Sequence, residues 1–266
     1  MTHPPPAELT DDIFLADCDG GPLSILQPRK SYRAGLDAVL LAAAIPETGR
    51  AVHILDAGSG VGTVGLCAAR RMATARVVLA EQNPVLLELA QRNIARNSLV
   101  DRVQAIAADV SSGGSAFHSG TSETAVLQPG AFDHVAANPP YYVNSDGTPS
   151  PDAIKARAHA MPRHALDAWM RFLATACTGG GTATLIHRAD AIADVLQHMG
   201  ARFGAITILP VHPRAGTPAN RIIVQGRKDS RAPTRILPGL ILHTDGQAFR
   251  PEIDDILRRG APLRLS

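Results

Sequence analysis

Apolar residues arrive along this chain at two alternating periods. Short apolar runs such as Val52–Leu55 ("VHIL"), "RVVLAEQN" from Arg76, "DRVQAIAADV" from Asp101 and Phe132–Ala137 ("FDHVAA") read as strands. Between them the apolar positions recur at helical spacing. Gly35–Ile45 carries Asp37 in its first turn, Thr63–Ala73 follows the first strand, and "PVLLELAQRNIARN" opens on Pro84. Proline suits a first helical position because its missing N–H would have no intrahelical partner there. Further on come a helix "ALDAWMRFLATAC", a strand "GGGTATLIH" and a helix "ADAIADVLQHMG" with Gly200 as its cap. Two strands, "FGAITILPV" and "NRIIVQGRK", are separated by "HPRAGTPA" and followed by a last strand "LILHT" and a last helix "PEIDDILRR". Strand and helix alternate five times before two strands fall close together. That order predicts an α/β fold, a seven-stranded and mostly parallel sheet with one antiparallel strand and helices on both faces.

Two stretches leave the pattern. Residues 1–29 are Pro-rich and acidic, with "LSILQP" as a short strand, and read as an N-terminal extension to a single domain over 30–266. Residues 111–130 are dominated by Gly, Ser and Thr and read as a mobile surface insertion.

Charge sharpens this picture slightly. The net charge of +2 hides an asymmetry: residues 1–150 hold 10 Lys and Arg against 15 Asp and Glu, residues 151–266 hold 16 against 9. A basic half suits a polyanionic partner, although an Arg-rich chain can equally reflect genome composition. Arg214, Arg221, Arg227, Lys228, Arg231 and Arg235 have one nearby acid, Asp229. Three scattered cysteines without a CxxC argue against a disulfide framework or a zinc site and fit a reducing cytoplasm. No histidine cluster has metal spacing, so no metal is expected. No signal peptide is visible at the N-terminus, and no apolar run approaches the roughly 18–20 residues that span a bilayer.

The chemistry gathers at predicted strand ends. "DAGSGVG" places Asp56 at the end of a strand and glycines at Gly58, Gly60 and Gly62, which permit a sharp turn and close ligand approach. Alternate glycines after an aspartate do not match a pyrophosphate loop, and the carboxylate favours a cationic or zwitterionic ligand. Glu81 ends the next strand and could accept the hydroxyls of a ribose. Asp109 ends the third, where an adenine contact and a helix N-cap are both open readings. "NPPYY" follows the fourth: Asn138 is freed from the ladder by Pro139 and Pro140, with Tyr141 and Tyr142 beyond. A sheet of this kind binds its ligand past the carboxyl ends of its strands.

"DAGSGVG", "LAEQNP", "AADV" and "NPPYY", in that order from about Arg33 to Lys228, resemble the class I S-adenosylmethionine-dependent methyltransferases, whose sheet is Rossmann-like. The resemblance implies S-adenosyl-L-methionine as cofactor. It would be held by Asp56, Gly58, Gly60, Gly62, Glu81, Gln82 and Asp109, with Asn138 beside it. In that family N-P-P-Y marks methylation of a planar nitrogen, so Asn138, Pro139, Pro140 and Tyr141 would be the catalytic set.

"KSYRAGLDAVLLAAAI" and "PANRIIVQGRKDS…LILHTDGQAF" further resemble the bacterial tRNA adenine-N6 methyltransferases that act next to the valine anticodon. Ser31 stands where that group has Gly. By this resemblance Tyr32, Arg33 and Asp37 lie at the cofactor mouth. RNA, and tRNA in particular, is then the partner, met by Tyr142, Arg214, Arg221, Arg227 and Lys228, with the connections at 144–163 and 211–220 beside the entrance. Three other readings remain open: a protein glutamine N5 methyltransferase, a small-molecule O-methyltransferase, and a non-catalytic RNA-binding module on the same fold. The oligomeric state, monomer or homodimer, is left open too.

Overall fold

The computed structural model describes residues 8–29, 34–118, 127–140 and 165–265. β1 (Leu9–Phe14) and β2 (Leu23–Pro28) form a hairpin. Then come α1 (Leu36–Ala44), β3 (His53–Ala57), α2 (Thr63–Arg71), β4 (Arg76–Glu81), α3 (Pro84–Arg96) and β5 (Val103–Ala107). A 3₁₀ segment (Val110–His118) precedes β6 (Phe132–Ala137), α4 (Ala165–Ala176), β7 (Cys177–Arg188) and α5 (Ile192–Gly200). β8 (Phe203–His212), β9 (Arg221–Lys228), the two-residue β10 (Arg235–Ile236) and β11 (Leu240–Ile241), and α6 (Pro251–Arg259) complete the order.

The main sheet runs β8-β9-β7-β6-β3-β4-β5, with β10 and β11 both on the outer edge of β8. Every pairing is parallel except those of β9, which lies antiparallel between β7 and β8. The seven expected strands are present, and the reading of "LILHT" as a full strand shrinks to two residues because His243 leaves the ladder to bridge Phe249. Period-two alternation divides the core. Ile54, Val77 and Leu79 face α1, α2, α3 and α6. Leu55, Val78 and Ala80 face α4, α5 and the 3₁₀ segment. The parallel strands therefore end along one rim, here the carboxyl rim, and start along the opposite, amino rim.

Three local expectations are corrected. Paired aspartates hide the alternation of "LTDDIF", yet this run forms β1 against β2, whose Leu23, Ile25 and Gln27 point into the core. Asparagines on one face of α3 then stand in for a neighbouring strand. Asn93 accepts from Leu26 N–H (2.8 Å) and donates to Leu26 O (3.1 Å); Asn97 accepts from Ser24 N–H (2.9 Å) and donates to Ser24 O (2.8 Å). Second, residues 110–118 are not loop. Ser112 and Ser115 hydroxyls bond the carbonyls of Asp109 and Ser112, the chain kinks at Gly113, and Phe117 packs on Phe172 at 5.0 Å between centroids. Serines that close turns on their own backbone read as loop in a composition argument. Residues 119–126 of that insertion lie outside the described residues. Third, Gly200 is the last helical residue rather than a left-handed cap, and Arg202 serves the helix end instead by donating to His198 O at 3.0 Å.

Candidate functional site at the carboxyl rim

Sheet register builds this site. Ala57 pairs with Ala80 on one side and with Ala137 on the other, while Glu81 pairs with Ala107. The residues after Ala57, Ala80 and Ala137 therefore share one row: Gly58, Glu81 and Asn138. From β6 across to β5 the row covers about 14 Å, three strand spacings.

Gly58, Gly60 and Gly62 all have positive φ, at 67°, 58° and 91°, which side chains rarely adopt. Gly58 and Ser59 N–H donate to Ala80 O at 2.8 and 3.0 Å, so the loop is stitched to β4. A Cβ at Gly60 would meet open space, whereas one at Gly58 would overlap the indole of Trp169. Trp169 stands on α4, directly after the segment that follows Pro140.

Glu81 is buried, and its carboxylate accepts from Gly60 N–H and Asn83 N–H, both at 2.8 Å. Two oxygens offer about four acceptor sites, so capacity remains for ligand hydroxyls. Asp109 is exposed and accepts from Ser111 N–H (2.8 Å) and Ser111 Oγ (2.6 Å). The capping role is thus real, and both of these bonds fall on one carboxylate oxygen, Oδ1. Gln82 is exposed beside Glu81.

Asp56 is placed otherwise. The strand alternation that turns Ile54 inward turns Asp56 the same way, and it is 1% exposed, with its carboxylate accepting from Gly65 N–H at 2.9 Å. Burial pushes it up to about 7, opposed by the Gly65 bond and aided by the charge of Glu81. It fastens the base of the glycine loop to α2.

Asp37 and Arg221, separated by the whole sequence, form one ion pair at 2.9 Å between α1 and the start of β9. Arg214 also lies on the carboxyl rim, after β8. Arg227 and Lys228 do not: β9 runs antiparallel, so they sit at the amino rim. There Lys228 Nζ donates to Ala174 O (2.6 Å) and Cys177 O (2.7 Å), and Arg227 donates to Gly180 O (2.9 Å). Tyr32, Arg33, Tyr141 and Tyr142 lie outside the described residues.

The row fits an elongated ligand bearing hydroxyls and amino groups. The buried hydroxyls Ser59 Oγ and Thr63 Oγ1 have no hydrogen-bond partner among the described residues, and both flank the open backbone of Gly60. Among those residues no group of three His, Cys, Asp or Glu could hold a metal ion, and no helix is long and apolar enough to cross a membrane. The three cysteines are free, and burial pushes the Cys67 thiol up to about 12 and Cys177 to about 11.

The chain is similar to known proteins. Residues 34–160 match the methyltransferase small domain. A crystal structure described as a predicted O-methyltransferase from Agrobacterium tumefaciens is 30% identical, covering 86% of this chain and 98% of that one, with a TM-score of 0.71. The chain belongs to the class I S-adenosylmethionine-dependent methyltransferases. Within that family it is 31% identical over 119 residues to a tRNA1(Val) (adenine(37)-N6)-methyltransferase from a Flavobacteriaceae bacterium, covering 45% of this chain and 46% of the relative. A protein of the same description from Aeromonas hydrophila is 28% identical and covers 74% of this chain and 77% of the relative. The chain spans about half the length of most of the first curated relatives it matches.

Sequence reasoning missed two parts of this candidate site. Trp169, the sole tryptophan, was read only as a helical residue, yet it forms the wall against Gly58. Asn93 donates to Val61 O at 3.0 Å as well as to Leu26 O, and so ties the glycine loop to the hairpin. Its signal was a polar residue on an otherwise buried helix face.

Proposed function

We propose that this chain transfers the methyl group of S-adenosylmethionine to the exocyclic N6 of an adenine in RNA, with tRNA as the substrate class and the cytoplasm as its place of work. The supporting observation is the register that sets Asn138, followed by two prolines, one strand away from Gly58. Bound in the row, the cofactor would supply an electrophilic methyl on a sulfonium. Glu81 accepts ribose hydroxyls and Asp109 the adenine amino group, while Gly60 leaves room for the ligand at the backbone.

The substrate nitrogen is a poor nucleophile because its lone pair is delocalised into the ring. The side-chain oxygen of Asn138 accepts one N–H and the Pro139 carbonyl the other. Two acceptors favour a pyramidal nitrogen and stabilise the positive charge it gains on attack, and one of its two N–H protons then leaves to water, giving the neutral methylamine. Pro139 and Pro140 hold both acceptors in place without an N–H to satisfy. Tyr141 stacks on the extruded base, since a base reached for chemistry leaves its own stack.

The test is product analysis. Purified protein is incubated with methyl-labelled S-adenosylmethionine and, in parallel, unfractionated tRNA, ribosomal RNA and release factor, and the products are digested. Label in N6-methyladenosine from tRNA is the expected result. Label in glutamine of the release factor would keep the acceptor pair and discard the RNA substrate. Label in neither, with cofactor bound, would discard both.

A further inference from the structure

At the outer corner of the carboxyl rim, the loop after β8 and the turn after β11 are fastened together. Leu242 N–H donates to His212 O (2.9 Å) and His243 N–H to Pro213 O (3.0 Å). His243 and Phe249 close the turn by an antiparallel bridge, with Thr244 N–H donating to Ala248 O at 3.0 Å. Their rings are stacked, 4.6 Å between centroids and 20° between planes. Phe249 is 36% exposed and is the aromatic among the exposed large hydrophobic side chains of the described residues.

Arg214 reaches across this same turn, its guanidinium donating to Gly246 O (3.4 Å) and Gln247 Oε1 (3.5 Å). Its neighbours on the rim are charge-compensated: Arg221 pairs with Asp37 and Arg250 with Glu252. Arg214 bonds a carbonyl and an amide, and no carboxylate among the described residues lies within ion-pair distance of it. A lone exposed apolar side chain needs no explanation. A supported, exposed π-face beside a guanidinium held by no ion pair among the described residues is a different object: aromatic faces stack on any base, and arginine holds the phosphate next to it. Four strand spacings separate β11 from β6, so the corner lies about 19 Å along the rim from Asn138. That is within the reach of a short single-stranded segment.

We propose that the His243–Phe249 stack with Arg214 is a platform for an unpaired nucleobase flanking the methylated one. The stack receives the base, and Arg214 holds the adjoining phosphate. This rests on the RNA reading above. It differs from that reading in placing a second contact away from the reacting atoms, so it affects substrate capture and not the chemical step.

The experiment uses full-length protein and unfractionated tRNA, with binding followed by filter retention and turnover by methyl incorporation. Phe249→Leu keeps an apolar side chain to close the turn but removes the flat face; Phe249→Tyr keeps the face. Phe249→Leu is expected to raise the KM for tRNA about tenfold, within the range of one base–aromatic stack, with kcat held within about twofold. Phe249→Tyr should restore the KM. Arg214→Gln should reduce the slope of log K against log salt by about one unit. Phe249→Leu indistinguishable from wild type, while wild type methylates tRNA, would overturn the platform and leave the function standing. Wild type that neither binds nor methylates tRNA would overturn both.

Discussion

At the amino rim cations meet carbonyls; at the carboxyl rim carboxylates meet amides. Lys228 donates to Ala174 O in the last turn of α4 and to Cys177 O at the start of β7, Arg71 to Ala42 O and Ile45 O at the end of α1, and Arg102 to Ala69 O in α2 and to Met72 and Ala75 O just beyond it. Opposite them, Asp56, Glu81 and Asp109 accept backbone N–H groups of the glycine loop, the α2 start and the turns after β4 and β5. Topology explains the split. Helices between parallel strands return antiparallel to them, so their C-termini collect at one rim and their N-termini at the other, and each end attracts the opposite charge. Charge alone therefore does not mark a binding group. The marks, among the described residues, are acceptor capacity left over at Glu81 and Asp109, hydroxyls without partners at Ser59 and Thr63, and a cation with no carboxylate within ion-pair distance at Arg214.

The sharpest break between the rims is chemical. Asn138→Ala removes one of the two acceptors and should lower the single-turnover methyl transfer rate by about 10²–10³-fold, the usual effect of deleting one oriented hydrogen-bond partner of a transition state. Calorimetric affinity for S-adenosylmethionine should stay within about threefold. Parallel loss of both would show that Asn138 serves the cofactor and not the acceptor nitrogen.

A second contrast lies within the carboxyl rim. Gly58→Ala and Gly60→Ala carry the same left-handed backbone penalty, about 1–2 kcal/mol. The first also drives a methyl into Trp169. Gly58→Ala should therefore lose clearly more cofactor affinity and stability than Gly60→Ala, and Trp169→Leu in the same chain should recover part of the loss. Equal effects of the two glycine variants would remove Trp169 from the wall of the site.

At the amino rim, Lys228→Met takes a charged donor from two carbonyls and should destabilise the chain by about 1.5–3 kcal/mol in urea unfolding. Methyl transfer per folded molecule and the salt slope of tRNA binding should not change. A shallower salt slope would return Lys228 to the RNA surface that the sequence suggested for it.

The smallest effect is a pH slope. Asp56, raised to about 7, contributes stability that is fully present below the unfolded value near 4 and is lost as pH rises through 7. His134, buried against Thr182 and lowered to about 4, contributes stability that is present above about 6.5 and is lost as pH falls through 4; burial pushes His187 the same way. Between pH 4 and 6.5 the two signs oppose. Asp56→Asn keeps an acceptor for Gly65 and removes one of the opposing slopes. Its unfolding free energy should fall with acidification by about 1.4 kcal/mol per pH unit more than that of wild type. Identical slopes would show that Asp56 holds no proton in the fold.

Strand ends, the glycine loop and the antiparallel strand were legible in the sequence because each depends on local rules: period, turn chemistry, and proline at a ladder's end. What escaped depends on partners distant in sequence. Asp37 and Arg221 were given separate roles and are one pair. Arg227 and Lys228 look like their neighbours Arg214 and Arg221 until β9 carries them to the far rim, a run of seven or so residues at about 3.4 Å each. The paired aspartates of β1 hide a strand because their partners, Ser24, Gln27 and Arg96, lie far along the chain; the serines at 111–115 hide a turn because they bond locally, and composition records only their polarity.

Trp169 has one more consequence. It is the single tryptophan of the chain, and its indole lies on the loop where the cofactor is expected. Excited at the red edge of its absorption, where the three tyrosines do not absorb, the unlabelled protein emits from one defined position, and a titration with S-adenosylmethionine can be followed by that light alone. The same signal separates loading of the site from everything that happens at the outer corner of the rim.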